Sequence, residues 1–342
     1  MNICSNERIR FMKKIAGVVI PYFGKFKPSF KLFIESCQRN LDLDWIIITD
    51  NEELQDLPQN VVWKRCTLPD IEKLARERLD KEASLNSAYK LCDYKVTYGE
   101  LFENFLEDYE YWGYGDVDVI YGDLVKKLKA IDFRQYEKIN WMGHFALLKN
   151  NDKCKKAWRI QDVNFLDPLE VIRNGKTNYG FDEQDFNKKL VSKGYIIFDG
   201  IFAADIDVFY PRMRCVEKST VRWLCNIKKQ WKEYPTNYSK QVFVCVDGRI
   251  YRYYIKKGKM YKQEFAYIHF RTEPKSIQIS SGSFIISRAI FVDIDKSKLN
   301  NIQYIRALID KYNSQDNVFI EVVRFLKGYL IVSKNRVNIW KR

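Results

Sequence analysis

Residues 15–24 read IAGVVIPYFG. The first six are short, β-branched and nearly all apolar, the composition of a strand buried on both faces. Pro21 ends the run, and PYFG (21–24) supplies a turn. Pro28 then suits the first turn of a helix, with Phe30, Phe33, Ile34 and Cys37 following at helical spacing. WIIIT (45–49) reads as a second buried strand and runs into Asp50. Strand, helix, strand is how a parallel α/β sheet begins. Ligands of such sheets sit at the carboxyl ends of the strands, which puts Tyr22, Phe23, Gly24 and Asp50 at that edge.

Further along, DIEKLARERLDKEA (70–83) predicts an exposed helix. YGELFENFLEDYEYWG (98–113) starts as an amphipathic helix, with Leu101, Phe102, Phe105, Leu106 and Tyr109 on one side. Tyr111 to Gly115 reads as a strand, and 138–149 as strand, loop, strand. From about residue 241 the pattern becomes antiparallel, with Asp247-Gly248 as a hairpin turn. Residues 276–342 read as a tail with one helix near 301–313 and a basic end.

The 342 residues suffice for one large or two ordinary domains. A hydrophobic content of 46% with 15% aromatics supports a core and excludes a disordered chain. The net charge of +14, with a pI near 9.2, favours anionic partners: nucleic acid, a phosphorylated ligand or an anionic membrane. A solvated lysine-rich surface accounts for the same number. Eight cysteines occur without a C-x-x-C pair, which excludes a zinc knuckle and reads as a reduced, cytosolic protein. IAGVVI is too short for a secretory core or a membrane span, so a cytoplasmic protein without a transmembrane helix is expected. Met12 offers a second start, which would make residues 1–11 dispensable.

Four D-x-D triplets occur: Asp42/Asp44, Asp116/Asp118, Asp205/Asp207 and Asp293/Asp295. The first precedes a strand and reads as surface or a cap at the strand's start. The last two alternate with apolar residues, like half-exposed strands with polar groups facing out. Asp116/Asp118 alone follows a strand in the parallel half and is flanked by glycines, within YWGYGDVDVIYGDL (111–124). Two carboxylates one residue apart on a tight turn can both face a hard divalent cation, which can bridge to a diphosphate. Gly113, Gly115 and Gly122 would let backbone approach the ligand. A capped turn with its aspartates bonded to local N–H groups is the other use of this pattern.

IPYFGKF, ITDN, YKLCDYKVTYGELF, YWGYGDVDVIYGDL, GHFALLKNN, FDEQ and YIHF occur in that order. Together they resemble a family of bacterial glycosyltransferases of capsule and O-antigen (lipopolysaccharide) synthesis, with the GT-A fold. The resemblance spans roughly residues 13–272. It implies a Rossmann-like, nucleotide-sugar-binding mixed α/β sheet with a C-terminal antiparallel hairpin region and a basic tail. The corresponding division is a catalytic domain over 13–275 and an accessory region over 276–342. It also implies a UDP-sugar donor with manganese or magnesium held by Asp116 and Asp118.

Position by position, the resemblance puts Pro21, Tyr22 and Phe23 beside the nucleobase or ribose and Asp50 on the uridine. Asp93 and Lys95, in CDYK, would face the donor, with Lys95 near the diphosphate; a surface ion pair is the alternative use. The chain has two histidines. His269 would complete the metal site, where imidazole shifts preference toward transition metals, and His144 would face the donor or acceptor sugar. Asp182 and Glu183 fall where inverting relatives carry a general base, although carboxylates in a first helical turn are also ordinary caps. Arg271 and Lys275 follow His269 in a run, RTEPK, that departs from the more basic continuation of relatives.

The expected activity is transfer of a hexose (galactose, galactofuranose or glucose) to a hydroxyl of a growing, lipid-linked surface polysaccharide. Residues 319–342 interleave apolar and basic side chains and would hold the protein peripherally on the inner face of the cytoplasmic membrane. Rival readings are a metal-dependent nuclease or phosphodiesterase and a non-catalytic binder of anionic surfaces. No helix-turn-helix or RNA-binding aromatic motif supports a nucleic-acid partner.

Overall fold

The structure, a computed structural model, describes residues 14–183, 185–198, 200, 203–206, 213, 215 and 240–313. Residues 1–11 and the basic segment 319–342, singled out above, lie outside them. The strands are β1 (Lys14–Pro21), β2 (Leu43–Thr49), β3 (Val61–Arg65), β4 (Tyr109–Gly115), β5 (Val119–Tyr121), β6 (Lys138–Ile139), β7 (Phe145–Lys149), β8 (Ile197–Phe198) and β9 (Ala203–Asp205). Further along come β10 (Gln241–Val246), β11 (Arg249–Lys256), β12 (Lys259–Phe265), β13 (Tyr267–His269), β14 (Ser276–Gln278), β15 (Ser283–Ile286) and β16 (Ile290–Asp293).

Seven strands form a mixed sheet in the order β3-β2-β1-β4-β7-β6-β8. β1 runs parallel to β2 and β4, and β2 to β3, as the opening strand–helix–strand pattern requires. β7 is antiparallel to β4 and β6. Successive side chains of a strand point to opposite faces, so apolar β1 and β2 feed two cores. Val19, Ile46 and Ile48 pack under Ile71, Ala75 and Tyr98 on one face. Val18, Ile20 and Ile47 pack against Phe30, Phe33 and Ile34 on the other. Each such fully buried Val or Ile contributes about 1.5–3 kcal/mol.

Two helices differ from the sequence reading. The segment expected to be helical from 98 is α-helical only over Tyr98–Leu101, with a single 3-10 turn at Glu103–Phe105, and the strand β4 already begins at Tyr109. Gly99 lies against the Trp112 indole, where a Cβ would come within 2.4 Å of the ring. Pairing of β4 with β1 and β7 takes the residues that a longer helix would need. The helix expected over 70–83 spans Leu68–Arg78 and is fixed by a reciprocal Thr67/Asp70 cap, with Ile71 and Ala75 buried.

The second sheet has six strands, β12-β11-β10-β15-β16-β14. Asp247 and Gly248 connect β10 to β11 with φ of 48° and 73°, the left-handed pair that a tight hairpin turn demands. The helix Ile302–Tyr312 covers one face through Ile305, Leu308 and Ile309. Strands on both sides of residue 275 pair within this one sheet. The third sheet has only three strands, β5-β13-β9, joined from distant parts of the chain. The six described cysteines are free. No helix among the described residues is long and apolar enough to cross a membrane.

Asp207 lies outside the described residues, and the other D-x-D members separate clearly. Asp293 is half-buried and accepts from Ser280 and Ser281, and Asp295 caps a short turn at Ser297. Asp44 lies within β2 and is buried, bonded to Lys14 and Tyr109, rather than at the surface. Asp205 corrects the reading above: it does not face out but is 3% exposed, at the end of β9. It is inside because its partners, His269 and Arg271, are inside with it.

Candidate active site

A cleft of about 380 Å³ opens at the carboxyl ends of β1 and β4. Pro21, Tyr22 and Phe23 line it from β1, and Asp116 and Asp118 from the turn after β4. Lys95, Cys92 and Tyr89 line it from the segment 88–98. Below Tyr22 the rings of Phe26 and Phe30 stack, with centroids 5.0 Å from Tyr22 to Phe26 and 3.7 Å from Phe26 to Phe30. Such a stack is a stiff apolar support for a planar ligand. Asp50 sits at the end of β2 and accepts from the Gly24 N–H at 3.1 Å, so it shapes the turn after β1.

Lys95 is buried, with its amine 2.6 Å from Asp116 Oδ1 and 3.1 Å from the Gly143 carbonyl. Burial works against its charge, but the Asp116 and Asp182 carboxylates hold its pKa well above the usual lysine value. Asp93 takes a different place. Its oxygens accept from Lys90 at 2.8 Å and from the Tyr179 and Phe181 N–H groups at 2.9 and 3.0 Å. It is fully buried and fastens the segment 179–181, rather than facing the cleft.

That segment presents Asp182 and Glu183. Glu183 Oε1 accepts from the Gly143 N–H at 2.9 Å. Asp182 is buried, and a Cβ on residue 143 would lie 2.2 Å from its Oδ2, so a side chain there would push the carboxylate from its place. Burial raises the Asp182 pKa, and the nearby Lys95 charge only partly offsets this. Glycine has the same kind of role at 113, where a Cβ would meet Leu147 at 2.5 Å and the Ala146 carbonyl at 2.6 Å. Gly113 and Gly122 thus serve packing inside the protein, and of the three glycines singled out only Gly115 lines the cleft.

The small sheet assembles the remaining groups. Its register sets His269 beside Val119 on one side and beside Asp205 on the other. His269 Nε2 is 3.3 Å from Asp118 Oδ1, and its Nδ1 is 2.9 Å from Asp205 Oδ1. Burial disfavours the imidazolium, yet the Asp118 and Asp205 contacts raise the His269 pKa, and His269 in turn lowers that of Asp118. His144 does not line the cleft. It is 1% exposed, stacked on the His269 ring at 4.3 Å, with Nδ1 3.1 Å from the Tyr267 hydroxyl. Burial, reinforced by the His269 charge, depresses its pKa and keeps it neutral.

Two clusters among the described residues offer ligand atoms within 4.8 Å of one another: Asp116, Asp118 and His269, and His144, Asp205 and His269. The second is already neutralised, because Arg271 grips both Asp205 oxygens at 2.8 and 2.7 Å. The first reaches the cleft through Asp116 and Asp118, with His269 buried behind them, and combines two hard carboxylates with one imidazole, a donor set that suits a divalent cation. Sequence reading missed Asp205, Lys138 and Tyr89. Asp205 follows the apolar Ala203 and Ala204, and a carboxylate in such a place needs a partner. Lys138 is fully buried in β6, and burial lowers its pKa to about 7 despite Asp182 and Glu183 nearby.

Fold and cleft define a mixed α/β protein with an acidic, histidine-bearing site at the ends of its parallel strands. The chain belongs to a family described as a family of unknown function (DUF6625), which it matches over residues 18–295. No match was found among curated proteins. Among solved structures it is similar to the galactosyltransferase LgtC in complex with donor and acceptor sugar analogs. That match has 12% identity and a TM-score of 0.35, and covers 55% of this chain and 75% of that one. Mouse xyloside xylosyltransferase 1 in its apo form gives 11% identity and a TM-score of 0.35, over 57% and 89%. The glycosyltransferase GlyE of Streptococcus pneumoniae TIGR4 gives 14% and 0.31, over 54% and 45%.

Proposed function

We propose that this chain is a metal-dependent glycosyltransferase of GT-A type, moving a hexose from a UDP-sugar to a hydroxyl of a glycan. The observation that carries the reading is the grouping of Asp116 and Asp118, which line the cleft, with His269 directly behind Asp118, while the other end of the cleft is the aromatic Pro21–Phe23 turn. One end suits a planar base, the other a cation and a diphosphate. A divalent cation held by those three residues would neutralise the diphosphate and ease departure of UDP. Lys95 adds a fixed positive charge beside Asp116.

In the transfer the acceptor oxygen bonds to the anomeric carbon, and the bond from that carbon to the diphosphate oxygen breaks. UDP leaves with the bonding pair, and the acceptor proton goes to a base. With inversion, Glu183 is the better placed of the two carboxylates, because it is partly exposed whereas Asp182 is 4% exposed. A growing, lipid-linked surface polysaccharide as acceptor, met at the inner face of the cytoplasmic membrane, completes the proposal. The test is a donor screen: purified protein, manganese, a panel of UDP-sugars, and UDP release as readout. Release from at least one UDP-hexose is expected. Cleavage of DNA or of simple phosphodiesters without UDP release would replace this reading with the hydrolytic one.

A further inference from the structure

We propose that Asp205, locked by Arg271, is a positioning residue that turns His269 Nε2 toward Asp118 and so gives the site its preference for manganese over magnesium. This rests on the metal reading above. The geometry begins with register. β9 and β13 run parallel with Asp205 opposite His269, so both side chains leave the small sheet on one face. Asp205 Oδ1 is 2.9 Å from His269 Nδ1. Both Asp205 oxygens are also held by the Arg271 fork, and the carboxylate is 3% exposed. It can neither rotate nor take up solvent.

A carboxylate only accepts, so Nδ1 must carry the hydrogen. The other nitrogen, Nε2, 3.3 Å from Asp118, is then the one that a cation bound by Asp116 and Asp118 would meet, its lone pair becoming available as the cation displaces its proton. The ring cannot flip, because His144 packs on it at 4.3 Å and Tyr267 holds His144 in turn. Asp116 and Asp118 supply oxygen, which serves magnesium and manganese alike. The imidazole nitrogen adds affinity for manganese in particular. Asp205 therefore acts on the cation through His269 without touching it.

The experiment titrates Mn2+ into the full chain by electron paramagnetic resonance and then displaces it with Mg2+. In Asp205→Asn the amide can present an N–H to Nδ1, which favours hydrogen on Nε2 and removes the nitrogen donor. Mn2+ affinity should fall about 10–100-fold, the usual effect of losing such a partner, while Mg2+ affinity changes by less than about threefold. Asp118→Asn should weaken both ions. A general loss of structure would also lower both, so the Mn2+/Mg2+ ratio separates positioning from scaffolding. An unchanged ratio in Asp205→Asn, with Asp118→Asn weakened, overturns this proposal and leaves the metal reading standing. Absence of Mn2+ binding by the unaltered protein overturns both. Should Asp205→Asn fail to melt cooperatively, nitrogen NMR of the unaltered protein decides. With two histidines and Zn2+ as a diamagnetic probe, His269 should bind through Nε2 and keep a slowly exchanging Nδ1–H. Binding through Nδ1, or no change at His269, overturns the proposal.

Discussion

The seven-stranded and three-stranded sheets obey the same pairing rules but use the chain differently. The large sheet is dominated by apolar strands whose burial stabilises the fold, and three of its parallel partners come from residues 14–65. The small sheet takes three residues each from 119–121, 203–205 and 267–269. It is too short to be a stable unit alone. Yet it carries Asp205 and His269, and β5 begins one residue after Asp118. The large sheet is scaffold and the small one positions the candidate site. Charge divides along the chain as well. Residues 14–200 hold 28 Lys and Arg against 31 Asp and Glu, whereas 201–342 hold 27 against 12. The overall +14 therefore says nothing in favour of an anionic ligand in the cleft, whose attraction must come from a few placed groups.

The contrast breaks most directly at Asp118. Asp118→Ala should cut UDP-hexose turnover by a factor of roughly 100 or more while the protein still melts cooperatively, since it removes the proposed cation ligand and the pairing with His269 but no apolar core contact. Full activity in excess chelator would erase the distinction. On the large sheet the expectation reverses. Gly113→Ala forces a methyl against Leu147 and the Ala146 carbonyl and should cost about 1–3 kcal/mol, read by urea unfolding. Normal stability there would mean that the sheet is not packed as described.

Glu183→Gln should lower turnover by about 10²–10⁴-fold while leaving UDP affinity nearly unchanged, if the transfer inverts. Wild-type turnover would move the base elsewhere or point to retention.

Lys138 tests the scaffold by pH. Its folded pKa is about 7, below the unfolded lysine value, so the unfolded state binds the extra proton between those values. Its contribution to stability therefore rises with pH above 7 and is lost as pH falls toward 7, at up to roughly 1.4 kcal/mol per pH unit. Lys138→Met should be more stable than the unaltered chain at pH 7, by a margin that shrinks toward pH 10. A margin independent of pH would place the amine in water. The smallest effect is expected at Asp293→Asn: this D-x-D member, remote from the cleft, bonds only Ser280 and Ser281 among the described residues, so turnover should not change.

The sequence made the two kinds of region unequally readable. The apolar runs of β1 and β2, the Asp247-Gly248 turn and the helix Ile302–Tyr312 are local signals, and each appears where the pattern puts it. The D-x-D after β4 was readable for the same reason. Asp205 and Asp93 were not. Whether a carboxylate faces out or in is decided by partners far along the chain, Arg271 for one and Tyr179 for the other. A one-residue change of register in β9 would send Asp205 to the opposite face, and Asp93, on the short helix Leu91–Tyr94, depends on a segment just as distant; no local pattern records either.

The wide spacing of the small sheet's strands also has a consequence in time. A chain emerging from the ribosome can close its seven-stranded sheet once β8, ending at residue 198, is out. His269 follows 71 residues later. At 5–20 residues per second that is a delay of roughly 4–14 s. During that interval the nascent protein has a folded framework and a cleft floor, but lacks the histidine that completes the acidic site. On the proposed reading, the cation site is complete only once the last strand of the small sheet slots between the other two.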